Sequence, residues 1–166
     1  MADRFVLALD CGSTNLKAGL FSGGLDLLSE ASQPVRYAHH GPDRYEFAAE
    51  GFWDRAIQVV GEACAEAGIA ARQLTDMAIG SQAQSFLFVD SEAKPLTPVI
   101  SWLDRTADDE SGLAREALGS HFHLHCSFSD PIPQLQVCKV RQVMSKTPSL
   151  AGGRLVFLPG FLALRL

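Results

Sequence analysis

The chain has 166 residues, of which 47% are hydrophobic and 20% charged, and its formal net charge is −5. That balance suits an ordinary soluble globular domain with a real core. The mild negative charge argues against a nucleic-acid partner held by phosphate contacts, but it leaves room for a phosphorylated small ligand, which needs only a few local donors.

The N-terminus, MADRFVLALD, lacks the basic start and long apolar run of a secretory signal. No apolar run along the chain approaches the length of a membrane span. Phe5 to Leu9 is a short apolar run bounded by turn residues and reads as a buried strand. Leu16 to Phe21 is a second strand, and the Gly-Gly turn in SGGLD leads into a third, Leu25 to Glu30, so the chain opens as an antiparallel meander. Gln33 to Gly51, with Pro34 and Pro42, reads as mostly loop with one edge strand at most; His39 and His40 are loop residues.

Trp53, Ala56, Ile57, Val60, Ala63, Cys64 and Ala67 then recur at helical spacing, and Gly68 is placed to stop the helix at its C′ position. Thr75 to Ser81 is a strand. Phe86 to Val89 and Leu96 to Trp102 are two more, joined by a polar turn. Thr106 and Asp109 have the spacing of a capping box for a helix running to about Leu118, before Gly119. Pro133 suits the first turn of a helix through Gln134 to about Met144, with Lys139, Arg141 and Lys146 towards its negative end. Leu155 to Leu158 is a last strand. Phe161 to Leu166 begins a helix that the chain does not finish, so the sequence reads as one piece of a longer protein. Cys11, Cys64, Cys126 and Cys138 are far apart and form no CxxC pair, which fits a reducing cytoplasm better than a disulfide scaffold.

Three segments have the residue types of a site. In DCGSTNLK, Asp10 ends a strand, Gly12 allows close backbone approach, Ser13 and Thr14 offer amides and hydroxyls, and Lys17 offers a cation. Phosphoryl transfer needs such donors around the phosphate oxygens and a carboxylate for the metal shell. The same residues are also good hairpin chemistry. In IGSQAQSF, Gln82 and Gln84 alternate with apolar residues at a strand end and so share one face. Paired amides can bind sugar hydroxyls, or they can line an exposed strand edge. In SWLDRT, the indole of Trp102 beside the carboxylate of Asp104 can hold a polyol. The alternatives are core packing for Trp102 and a helix-capping charge for Asp104. His121, His123 and His125, followed by Cys126, invite a zinc reading if they lie on a strand, but no second cluster completes it; Phe122 and Leu124 would then be the buried face.

Taken in order, these segments resemble the N-terminal lobe of the FGGY carbohydrate kinases, which include xylulose, gluconate and glycerol kinases. LDCGSTNLKAGLF is similar to the family's first phosphate motif. YEFAAEGFW resembles its Glu-x-x-Pro-Glu-x-Trp segment, and IGSQAQSFLFVDSEAKPLTPVISWLDRTA resembles the long signature with a substrate-reading pair and Trp-x-Asp. IPQLQVCKV and VFLPGFLALRL resemble the later helix and strand segments. The resemblance implies an α/β, ribonuclease-H-like (actin-like ATPase) fold, with a five-stranded mixed sheet that opens as an antiparallel meander and is flanked by helices. Residues 1–166 would form the sugar-binding lobe.

The implied activity of the full-length parent is ATP-dependent phosphorylation of a sugar or polyol hydroxyl, with ATP and Mg²⁺. Asp10, Gly12, Ser13, Thr14 and Lys17 would face the transferring phosphate, Asp10 holding the magnesium through water. Gln82, Gln84, Trp102 and Asp104 would contact the sugar, in the same cleft as Asp10. The substrate is expected to be a polyol or open-chain sugar read by amides, since Gln84 stands where xylulose kinases carry His and Ala83-Gln84 where glycerol kinases carry Arg-Glu. Further departures are the early position of Arg105, Gln134 in place of Lys, Gly160-Phe161 in place of Asp-Tyr, and Ala93 where Gly is common. The general base and the adenosine-binding lobe are expected beyond Leu166, so residues 1–166 alone are expected not to phosphorylate a sugar. The resemblance allows a homodimer and implies no nucleic-acid or membrane partner. A second reading within the same fold is a non-catalytic sugar-sensing or interaction module, or an actin-like assembly subunit. A third is a purely structural α/β domain.

Overall fold

A computed structural model of the chain describes residues 4–39 and 41–166, with backbone alone at His39. In chain order the first elements are β1 (Phe5–Cys11), β2 (Asn15–Ser22), β3 (Leu27–Pro34), β4 (Ala38–His39), β5 (Tyr45–Phe47), α1 (Ala49–Glu66) and β6 (Leu74–Ser81). There follow β7 (Phe86–Val89), β8 (Val99–Ile100), α2 (Asp108–Leu118), α3 (Gln136–Lys146), β9 (Arg154–Phe157) and α4 (Leu158–Arg165). The chain divides into two compact units. One comprises Met1–Arg36, Ala48–Ala83 and Leu158–Leu166, and the other Tyr37–Phe47 and Gln84–Phe157.

The first unit holds a mixed sheet in the order β3-β2-β1-β6. β1, β2 and β3 form the expected antiparallel meander, and β6 pairs parallel to β1. The sheet has four strands among the described residues, where five were expected. Strand alternation fixes its packed face: Leu7, Leu9 and Cys11 of β1 pair in register with Leu20, Ala18 and Leu16 of β2, and all six are buried. α1 covers this face of β2 and β3 with Phe52, Ala56, Val59 and Ala63, and the Ser29 hydroxyl donates to the Ala63 carbonyl at 2.7 Å. α1 starts four residues before Trp53 because its N-cap, Ala48, has no side chain that could announce the start. Its end is as expected. Gly68 adopts φ +70°, Ile69 N–H donates to the Cys64 carbonyl and Gly68 N–H to that of Ala65, which is a Schellman motif. β3 begins at Leu27 rather than Leu25, since Leu25 takes the left-handed φ of 69° in a turn closed on Ser22.

The second unit holds an antiparallel sheet in the order β4-β5-β8-β7-β9. Phe86, Phe88, Ile100 and Leu150 form one core cluster with Val140 and Val143 of α3. Ala107, Phe122, Leu135 and Cys138 form another. The expected strand Leu96 to Trp102 shrinks to Val99–Ile100, because Pro95 and Pro98 offer the ladder no N–H. Between β7 and β8 the Asp90 carboxylate accepts the Glu92 and Lys94 N–H groups, and Ala93 takes φ +63° there, which explains why a glycine suits this position. α2 starts at Asp108 with no side-chain cap: the Thr106–Asp109 box does not form, because the Thr106 hydroxyl donates to Asp104 instead. Pro133 lies ahead of α3 rather than in its first turn, since Leu135 is still extended (φ −58°, ψ 130°).

The histidine run is a 3-10 helix (Gly119–Leu124) and not a strand, so alternation no longer puts three imidazoles on one face. Phe122 is buried there while Leu124 is exposed, and no group of three or more metal-ligating side chains occurs among the described residues. His39 falls in β4, and His40 lies outside the described residues. No helix among the described residues is long and apolar enough to cross a membrane. All four cysteines are free thiols.

Burial, and then the neighbouring Asp10 charge, push the Cys11 thiol from 9.0 up to about 12. The folded pKa exceeds the unfolded one, so the contribution is fully present below pH 9 and is lost as pH rises towards 12. The stability advantage of the native chain over Cys11→Ala should therefore shrink above pH 9, by up to ~1.4 kcal/mol per pH unit, in denaturant unfolding at pH 8, 9.5 and 10.5. A constant difference would contradict it.

Candidate functional site

In the first unit the site residues follow from the pleat of β1. Asp10 lies between Leu9 and Cys11, which face α1, so its carboxylate projects from the other side of the sheet. Lys17 of β2 is its cross-strand partner and Gly80 of β6 its partner on the opposite side. A Cβ on Gly80 would stand 3.8 Å from Asp10 Oδ1, and one on Gly12 would stand 3.8 and 3.9 Å from the two carboxylate oxygens. The missing side chains thus keep open the space beside Asp10. Among the described residues no hydrogen bond or ion pair engages Asp10 or Lys17, and both are exposed. They border an open hollow of about 640 Å³ with Ala8, Gly19 and Glu30.

The link between β1 and β2 is Gly12, Ser13 and Thr14. Its two ends are tied down: Val35 N–H donates to the Thr14 carbonyl at 2.9 Å, and the Gln82 side chain donates from Nε2 to the Gly12 carbonyl at 3.1 Å. Gln82 also extends the β1–β6 ladder through its own N–H to the Cys11 carbonyl. A held turn of small residues with two hydroxyls and a nearby ammonium has the donors that an anion would need, and the unpaired carboxylate beside them could face that anion only through a cation. An exposed aspartate with room around it suits a hydrated divalent cation.

Gln82 and Gln84 do not share a strand face. β6 ends at Ser81, and Ala83–Gln84 make a turn, so the alternation stops one residue too early. Gln82 is 8% exposed and belongs to the first unit; Gln84 is half-buried and belongs to the second.

In the second unit Trp102 and Asp104 lie on the turn after β8. Trp102 is 42% exposed, so core packing is not its role, and its N–H donates to the Ser85 hydroxyl at 3.0 Å. Asp104 is 2% exposed. Its Oδ2 accepts Tyr45 N–H (2.9 Å), and its Oδ1 accepts the N–H and hydroxyl of Thr106 (3.0 and 2.7 Å). The carboxylate thus fastens the chain ahead of α2 to β5; it does not cap α2, which starts four residues later. Arg105 points into solvent, with its backbone N–H on the Asp43 carbonyl.

Sequence reasoning missed the groups that hold this turn. Ser85 and Ser101 are both fully buried, and Lys139 of α3 is 1% exposed with its ammonium on the Ser101 carbonyl at 2.7 Å. The signal was the stripe Leu135, Cys138, Lys139, Gln142, whose helical spacing places a lysine and a glutamine on the buried face of α3.

The N-terminal domain profile of the FGGY family of carbohydrate kinases matches residues 5–124. The chain belongs to this family. It is 34% identical over 121 residues to a glycerol kinase of Chromobacterium violaceum, a match covering 72% of this chain and 24% of that protein. It is 35% identical over 104 residues to an apulose kinase of Pectobacterium atrosepticum, covering 62% and 21%. Gluconate kinase from Lactobacillus acidophilus superposes on 99% of the chain with a TM-score of 0.86 at 15% identity, using 33% of its own length. Xylulose kinase from Rhodospirillum rubrum gives 0.84 at 22% identity over 98% of the chain and 34% of its own. At such identities the likeness establishes the fold, which is the actin-like ATPase fold. This FGGY chain spans about a quarter of the length of the curated relatives it matches.

The geometry of this FGGY turn separates Asp104 from Trp102 experimentally. Asp104→Asn keeps the shape but cannot accept three donors in the same way, so a buried N–H or hydroxyl loses its partner. Stability should fall by ~1–3 kcal/mol. Trp102→Ala, at a half-exposed position, should change it by less than the Asp104 substitution. Urea unfolding of the two variants measures both, and equal losses would contradict this division.

Proposed function

We propose that this FGGY chain contributes the phosphate-binding hairpin and part of the sugar site of a cytoplasmic, ATP-dependent carbohydrate kinase, of which residues 1–166 are the N-terminal, sugar-binding lobe. The observation that carries the proposal is the Asp10 carboxylate, free of protein partners and bordered by two glycines, beside the Gly12–Thr14 link and Lys17. Family membership supports ATP as the phosphoryl donor.

In this reading the backbone N–H groups and hydroxyls of Ser13 and Thr14 donate to the phosphate oxygens, and Lys17 balances charge that develops as the phosphoryl group moves. Asp10 would hold a hydrated Mg²⁺, which would supply positive charge at the phosphate oxygens. Gln82 holds the start of the link, its Nε2 donating to the Gly12 carbonyl. At the sugar end Trp102 lays its exposed ring under the C–H face of the substrate and the half-buried Gln84 amide supplies polar contacts to hydroxyls, while the buried Gln82 and Asp104 hold the hairpin and the turn in shape. Neutral amides bind hydroxyls without the desolvation cost of buried ions, which favours a polyol or open-chain sugar over an acidic one. No residue of this chain is assigned as the general base.

Asp10→Asn in the full-length protein should lower kcat by roughly 10²-fold or more, the scale of losing one group that stabilises transition-state charge. Its thermal midpoint should stay near the native one, because Asp10 is exposed and bonds nothing in the fold. A coupled ADP-release assay with a thermal scan reads both. Unchanged turnover would remove Asp10 from the phosphate site, and absence of turnover by the native full-length protein on every sugar would favour a sensing or interaction module.

A panel of polyols, ketoses and sugar acids tests the amide reading separately. Preference should fall on a neutral polyol or open-chain sugar. A strong preference for an acidic sugar, undisturbed by Gln84→Ala, would contradict it.

A further inference from the structure

Lysine is almost never fully buried without a partner, and Lys139 is the one lysine of the second unit to be so among the described residues. It lies on α3 between Cys138 and Val140, and an apolar residue there would avoid the desolvation of an ammonium. What the ammonium meets is a single backbone atom, the Ser101 carbonyl, at 2.7 Å. The same carbonyl accepts the Asp104 N–H at 3.1 Å, so two donors converge on the oxygen that closes the Ser101–Asp104 turn. One residue short of a full turn along α3, the Gln142 amide donates to the Thr106 carbonyl. α3 therefore grips the chain on both sides of Trp102, Leu103 and Asp104, and the Ser101 hydroxyl and Ser85 hydroxyl take up the Leu103 and Trp102 N–H groups between those grips.

We propose that Lys139 is a positioning residue whose buried ammonium, acting through the Ser101 carbonyl, fixes the turn that aims Trp102 and seats Asp104. A charge-assisted hydrogen bond is roughly twice as strong as a neutral one, which is what a lysine supplies here and a polar neutral residue would not. The consequence for substrate rests on the sugar-site reading of Trp102 given above; the fixing of the turn does not.

The proposal carries a pH dependence. The groups facing the ammonium are Asp104 from the turn and Cys138 beside it on α3, with Glu110 of α2 acting in turn on Cys138. Of the other segments packed on α3, β7 and β8 bring Phe86, Phe88 and Ile100 and Pro148–Gly152 brings Leu150, none of them titratable, while Cys126 and Phe122 pack in the cluster that holds Cys138. Burial lowers Lys139 from 10.5 to about 8, against the opposing pull of Asp104 and Cys138. Cys138 is itself pushed up, chiefly by burial. The turn should then loosen as pH rises through 8 and the ammonium becomes an amine.

The test uses the full-length protein labelled with 5-fluorotryptophan, the Trp102 fluorine signal being assigned by Trp102→Phe, together with amide hydrogen exchange. In the native protein the Trp102 signal should shift with a midpoint near pH 8. In Lys139→Met, which keeps the bulk and removes the donor, that transition should vanish. Exchange at Trp102 to Asp104 should also quicken about tenfold or more, the scale of losing one charge-assisted bond, while the β7–β9 ladder keeps its protection. Native-like exchange in Lys139→Met, or a uniform acceleration that includes β7 and β9, would overturn the proposal as a positioning role. Should the variant not fold, the native titration decides alone: a flat Trp102 signal from pH 7 to 9 overturns it. Sugar KM in Lys139→Met should rise more than kcat falls. A loosened turn with sugar KM unchanged would leave the role of Lys139 standing and remove Trp102 from the sugar site.

Discussion

Asp10 and Cys11 are adjacent on β1, and the pleat of the strand sends them to opposite faces of one sheet. Everything the first unit offers a ligand depends on that alternation. Leu7, Leu9 and Cys11 lock the register against Leu20, Ala18 and Leu16 beneath α1. A slip of one residue would drive the Asp10 carboxylate into that interface and leave the thiol in the open. Burying an unpaired carboxylate costs several kcal/mol, so the apolar face effectively dictates where the charge can be. The same alternation places Lys17 beside Asp10 and, across on β6, Gly80, where a Cβ would come into contact with the carboxylate.

The second unit solves a different problem, since its turn is not a strand and has no alternation to orient it. Here hydrogen bonds do the orienting. Asp104, which is buried, collects three donors from Tyr45 and Thr106, while Lys139, Ser85 and Ser101 take up the surrounding backbone groups. A buried carboxylate and a buried ammonium in one network stabilise each other only if both stay satisfied. Such a network is rigid for that reason, and it leaves the ring of Trp102 half in solvent on a frame that cannot easily move.

Much of the architecture was legible because it depends on local chemistry. The meander follows from short apolar runs and a Gly-Gly turn, the end of α1 from Gly68, and the turn between β1 and β2 from the small residues of DCGST. What escaped depends on distant partners. Thr106 has the spacing of a helix cap, and only the fold shows its hydroxyl donating a hydrogen bond to Asp104. The histidine run looked like a strand, yet Gly119 at φ +51° turns the chain into a 3-10 helix. The strand expected over Leu96 to Trp102 runs through Pro98, which offers the ladder no N–H. Gln82 and Gln84 were placed on one face by a period that holds only while the strand lasts, and β6 ends at Ser81. Lys139 was read as a helix-end charge because a lysine on a helix is usually that; its burial is decided by a carbonyl thirty-eight residues away.

Motif matching cannot by itself distinguish residues that touch a ligand from residues that hold those that do. Exposure and hydrogen-bond saturation draw that line in this chain. The side chains of Asp10 and Lys17 are exposed and engage no protein group among the described residues, and Trp102 shows 42% of its surface, so these three are open to the ligand proposed for them. Gln82 and Asp104 are 8% and 2% exposed and already bind Gly12, Tyr45 and Thr106. A sugar hydroxyl reaching Asp104 would have to compete for a carboxylate that accepts three protein donors, whereas one reaching the Trp102 ring displaces only water. Substitutions at the buried pair should therefore act on substrate through the shape of the hairpin and the turn, and substitutions at the exposed three through direct contact. The two aspartates thus differ in kind: the Asp10 carboxylate is exposed and unpaired among the described residues, which leaves it open to the ligand role proposed for it, and the Asp104 carboxylate is fully paired within the fold.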